Sequence, residues 1–132
     1  MAHRVGPEDW LKVVDGDLAV VRLCLNAAPP LVLHATYNCQ QAAEKLVKAV
    51  LVSLGIDFPK THDIDKLMQL VPVTVPIRDV LVPLARFTPY ATAYRYPGEA
   101  ADLSDDPTAE DIASWLAEIE AVRAAVEGYL RP

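Results

Sequence analysis

The 132-residue sequence has no glycine-rich phosphate loop, no HExxH run and no GxSxG elbow. Those absences exclude the P-loop hydrolases, the helix-borne zinc proteases and the α/β-hydrolases. Only two cysteines occur, Cys24 and Cys39, and they form no CxxC. Both fall on apolar helical stretches, where a buried free thiol is expected, as in a reducing cytoplasm. The three histidines, His3, His34 and His62, share no ligand spacing. No metal and no cofactor is therefore expected. Long apolar runs are lacking too, since Lys, Glu or Pro interrupts each one. No membrane span and no signal peptide is predicted, and a cytoplasmic location fits. Basic charge is scarce: 12 Lys and Arg face 18 Asp and Glu, a net charge of −6. A surface that grips duplex DNA is excluded on that balance.

What is present is a globular composition, 52% hydrophobic and 23% charged. The length suits a single domain over residues 1–132. The apolar share is high for a small monomer, which predicts burial against a second copy. The charge is uneven. Residues 1–66 hold seven basic against eight acidic side chains, and residues 67–132 hold five against ten. No Lys or Arg lies between Pro97 and Val122. A local basic patch in the first half remains able to bind phosphate.

The periodicity is helical nearly throughout. From Pro7, Leu11, Val14, Leu18, Val21 and Leu25 form one stripe, which ends at Pro29–Pro30. A second helix is predicted from Leu31 to Leu54, with a wide face of small apolar residues and a stop at Gly55. Thr61 is predicted to cap a short third helix carrying Ile64, Leu67 and Met68. The fourth segment, from Pro76 to Tyr94, contains Pro83 and Pro89 and should be kinked or split. A last helix is predicted with Asp106 as N-cap and Pro107 at its first position. The fold class is all-α, an up-and-down bundle of four to five helices.

Three stretches carry chemistry. On the second helix, Asn38, Gln41 and Lys45 lie one turn apart, and Lys48 shares the face of Gln41. This row is either a solvated face or a polar seam lining an interface or a nucleotide pocket. Lys60, His62 and Asp63 stand at a helix start, where free N–H groups suit an anion. The alternative is local capping and packing. Tyr90, Tyr94, Arg95 and Tyr96 combine rings with a guanidinium, which suits base stacking and phosphate contact, or a helix end tucked into the core.

The run Gln40–Gln41–Ala42–Ala43–Glu44–Lys45, then Gly55, then Thr61–His62–Asp63–Ile64, then Arg95–Tyr96–Pro97 before an acidic loop and a last helix, resembles the HEPN domain of prokaryotic genomes. The resemblance covers nearly the whole chain. It implies a helical bundle, usually a homodimer, often paired with a minimal nucleotidyltransferase in toxin–antitoxin or related systems. Some members are metal-independent ribonucleases, and others bind nucleotides without cutting.

The ribonuclease members carry an Arg followed after four to six residues by a His. A metal-independent cut needs such a cation and base. No Arg of this chain has a His at that distance. No catalytic residue is therefore assigned. The resemblance carries over Gln41, Lys45, Lys60, His62, Asp63, Arg95 and Tyr96 by position. The expected function is a homodimeric module that binds a nucleotide or a nucleotidyltransferase partner. A ribonuclease using His62 with Lys60 or Arg95, and a dimer without any ligand, are the alternatives. Lys45, Lys60, His62, Arg95 and Tyr96 are expected to converge near one end of the bundle.

Overall fold

A computed structural model describes residues 5–91 and 106–131. These residues form α1 (Pro7–Asn26), α2 (Val32–Ser53), α3 (Ile64–Leu70), α4 (Arg78–Leu81), a 3₁₀ segment (Val82–Ala91) and α5 (Ala109–Leu130). The fold is all-α, and no strand occurs among the described residues.

Helix α1 starts where its sequence says it should. Pro7 opens it without needing a hydrogen-bonded amide, and the Asp9 carboxylate accepts from Gly6 N at 2.8 Å. Its stripe of Leu11, Val14, Leu18 and Val21 is buried, and Leu25 is half-buried. Helix α2 runs back antiparallel. Twelve of its 22 residues are buried. It packs against α1, α3, the 3₁₀ segment and α5, so it is the central helix of the bundle.

The end of α2 is set by Gly55, whose φ of 70° is open to glycine at little cost. Gly55 N donates to Val52 O at 3.1 Å, and Ile56 N donates to Leu51 O at 3.0 Å. That is a Schellman turn. It throws the chain into the 55–63 connection.

Three local expectations are corrected. Asp63, not Thr61, is the N-cap of α3: its carboxylate accepts from Lys66 N at 3.2 Å. Thr61 Oγ1 instead accepts from Asp63 N one step earlier. Thr108, not Asp106, caps α5, and a capping box with Asp111 closes that end, so Pro107 precedes the helix. A hydroxyl with an acidic residue three positions on outweighs the aspartate–proline signal. The predicted span Leu31–Leu54 shortens by one residue at each end, both becoming caps.

The Pro76–Tyr94 segment splits as expected. Four α-helical residues give way to 3₁₀ geometry. Pro83 and Pro89 each lack an amide and crowd the preceding turn, and the chain tightens there. Phe87 is fully buried on this segment, and Trp115 of α5 meets it edge-on at 5.4 Å. Tyr94, Arg95 and Tyr96 lie outside the described residues.

Helix α5 closes the bundle against α1. Glu8 pairs with Arg131, Asp15 with Arg123 at 2.8 Å, and Arg22 with Glu120 at 2.6 Å. The rising and falling numbers show that the two helices are antiparallel.

Candidate functional site

The polar centre of the molecule is a carboxylate inside α2. Glu44 is only 2% exposed, amid Ala42, Ala43, Leu46 and Val47. A buried charge needs partners on every side. Glu44 Oε2 accepts from Lys48 Nζ at 2.8 Å. Its Oε1 accepts from Gln40 Nε2 at 3.0 Å and lies 2.9 Å from His62 Nδ1. Gln41 Nε2 donates to Gln40 Oε1 at 2.7 Å and completes the chain. Burial pushes the Glu44 carboxyl up, but the bonds from Lys48, Gln40 and His62 together outweigh it and hold the group below its ordinary value. Glu44 is thus an anion at neutral pH. An anion only accepts, so the Nδ1 of His62 carries the proton.

That contact orients the imidazole. With Nδ1 bound inward, Nε2 is the nitrogen left for a ligand. The His62 side chain is 52% exposed. Lys60, two residues earlier, is exposed and makes no polar contact among the described residues. Two amides of the α3 start are already taken. Ile64 N donates to Thr88 Oγ1 at 3.1 Å, and Lys66 N donates to Asp63. Side-chain chemistry is what this corner offers. Asp63 serves as the cap.

The α2 seam faces elsewhere. Lys45 reaches across to Asp17 of α1 at 3.0 Å, half-buried on both sides. Burial raises the Asp17 carboxyl, the Lys45 bond pulls it down in part, and the nearby Glu44 charge raises it further. Asn38 Nδ2 returns to His34 O of its own helix at 2.8 Å. So Gln41, Lys48 and His62 meet around Glu44, while Lys45 and Asn38 do not join them. Arg95 and Tyr96, expected at the same pocket, lie outside the described residues.

A groove of about 760 Å³ opens beside this network. The start of α1 and the Gly55–Phe58 turn form its walls, with Trp10 and Phe58 as the aromatic ones. The two rings stand edge to face, 6.2 Å apart and at 66°. Lys48 Nζ lies 5.7 Å from both ring centres, so the ammonium that holds Glu44 also supports the aromatic pair. Trp10 Nε1 is buried and has no hydrogen-bond partner among the described residues.

Glu44, Trp10, Asp57 and Phe58 escaped the sequence reading. One signal was available for the first: Gln40, Glu44 and Lys48 follow strict i+4 spacing inside an otherwise apolar face. A polar file there must satisfy itself internally. Cys39 matches expectation: burial pushes its thiol up to about 12, which removes nucleophilic character near neutral pH.

Among the described residues no three His, Cys, Asp or Glu side chains gather as a metal cage, and no helix is long and apolar enough to cross a membrane. The architecture is a helical bundle built on one central polar-filed helix. Family comparison agrees: the HEPN domain model matches residues 7–129, and the chain belongs to the HEPN domain family. A crystal structure of an archaeal HEPN homologue superposes with a TM-score of 0.64 at 21% identity, covering 97% of this chain and 100% of the other. No protein of curated function matches the chain.

Proposed function

We propose that this chain is a homodimeric HEPN module that binds a nucleotide through its phosphate and works beside a nucleotidyltransferase partner, as in toxin–antitoxin-type pairs. One observation carries the nucleotide part. The cations Lys45 and Lys48 are neutralised by carboxylates of the bundle, whereas Lys60 and the Glu44-oriented His62 remain for a ligand. A phosphate bound by the Lys60 ammonium and by His62 in its imidazolium form, which donates from Nε2 while Nδ1 stays on Glu44, gains charge-assisted hydrogen bonds. Arg95 and Tyr96 complete the proposed set, as the family resemblance implies.

The test is calorimetric titration with ATP on the wild type, Lys60→Ala, His62→Ala and Arg95→Ala. Loss of about tenfold in affinity for each variant, with helicity unchanged, supports a shared phosphate site. Wild-type affinity retained in all three rules it out. Co-purification with a nucleotidyltransferase encoded alongside tests the partner.

The Glu44–His62 contact also supports a second reading, a ribonuclease with a non-standard base. A carboxylate-oriented imidazole is a competent general base. The missing Arg-to-His spacing favours the binding module. Incubation with single-stranded RNA separates them. Cleavage that disappears in His62→Ala would establish the nuclease.

A further inference from the structure

The groove beside the Glu44 network has a composition that neither its packing role nor a phosphate site explains. It sets an indole and a phenyl ring among its walls, and Asp57 lines it as well. Asp57 is exposed and makes no ion pair among the described residues. Its volume is in the range of small-molecule pockets. Because the rings stand at 66°, a flat ring laid on one meets the other edge-on. Stacking of this kind accepts any base, so discrimination falls to the polar group at the edge.

That group is a carboxylate, which offers two acceptors and no donor. Its complement is a base edge with two adjacent N–H donors. Guanine has that edge, through N1–H and the 2-amino group. Adenine presents one donor beside one acceptor, and cytosine does the same. Resting on the nucleotide reading above, we propose that this groove holds the base of the ligand and that Asp57 makes the site selective for guanine.

The position of the groove relative to the phosphate-binding side chains fits. Phe58, Lys60 and His62 are carried on one connection after the Gly55 turn. Lys48 Nζ lies 5.7 Å from the Phe58 ring centre and 2.8 Å from Glu44 Oε2, and the other Glu44 oxygen lies 2.9 Å from His62 Nδ1. Base groove and imidazole thus stand on two sides of one ion pair. The guanine edge would face Asp57 while its phosphate reaches Lys60 and His62.

The experiment is a fluorescence titration of Trp115→Phe, which leaves Trp10 as the sole indole, with GMP, AMP and inorganic phosphate. GMP is expected to quench Trp10 and to bind about tenfold more tightly than AMP. Asp57→Asn should reverse the order, because an amide pairs one donor and one acceptor with adenine. A merely structural Asp57 would not invert a preference. Calorimetry on the wild type repeats the comparison without the tryptophan change. Equal binding of GMP and AMP, unchanged in Asp57→Asn, overturns the guanine assignment and leaves the nucleotide reading standing. Binding of both no tighter than inorganic phosphate overturns the groove as a base site. No binding of any of the three overturns both.

Discussion

The Oε1 of Glu44, a carboxylate sealed inside α2, sits 2.9 Å from the Nδ1 of half-exposed His62. The contact joins the best-buried charge of the bundle to the side chain best placed for a ligand. It ties the 55–63 connection to the central helix, and it decides which ring nitrogen faces outward.

Removing that carboxylate should be expensive. Glu44→Ala leaves Lys48 and Gln40 without their acceptor. A loss of about 3 kcal/mol is expected, the low end for a broken buried pair because His62 keeps contact with water. Glu44→Gln, which keeps the shape and one acceptor, should lose less. Urea unfolding at pH 7 measures both, and equal stability of the alanine variant would refute the account.

The acid limb of stability has a defined sign. The folded Glu44 carboxyl is held below its ordinary value of 4.5, so its contribution is present above that pH and is lost as pH falls through the lower folded value. Asp17 acts oppositely. Burial raises it above 3.8, so it favours folding as pH falls through the raised value. Glu44→Gln should flatten the loss of stability below about pH 4.5. Asp17→Asn should steepen it. Melting temperatures across that range decide.

Core and ladder should respond differently. Asp15 and Arg123 meet at the surface, where an ion pair contributes about 0.2–1 kcal/mol. Arg123→Ala should fall in that range and shrink further in high salt. Ile119 is fully buried on the same helix, and Ile119→Ala should lose about 2–5 kcal/mol. Chemical denaturation of the two variants gives the comparison.

The outer face of α1 bears on the proposed dimer. Val13, Val20 and Leu23 are exposed, the last at 71%, and they line up opposite the buried stripe. Light scattering at micromolar concentration should give about twice 14.4 kDa, and Leu23→Lys should shift it toward one copy. A monomer in the wild type removes the dimer from the proposed function. A dimer indifferent to Leu23→Lys places the interface elsewhere.

The helices were legible because their signals are local. The stripe of α1, the Pro29–Pro30 break and the Gly55 stop each act within a few residues, and all three hold in the structure. The caps of α3 and α5 were each misplaced by two positions. Thr61 and Asp63, like Asp106 and Thr108, are competing cap residues, and which one wins depends on the turn around them. The site was legible only in part. His62 and Lys60 stand out by residue type, but Glu44, the partner of His62, is eighteen positions before it in the sequence. Neither Trp10 nor Phe58 carries a local signal, and only the return of α2 along α1 sets them together at Lys48. Lys45 was placed with the others by spacing, yet the α1–α2 crossing gives it Asp17 instead.

Helix α2 carries both the largest share of the core and the carboxylate that orients His62. Under the proposed function, ligand competence and structural integrity rise and fall together. A nascent or proteolytically nicked chain lacking a docked α2 holds Lys60 and His62 in sequence but not in register, and would capture nothing. Under the proposed reading, a bound ligand would in turn favour intact copies by mass action.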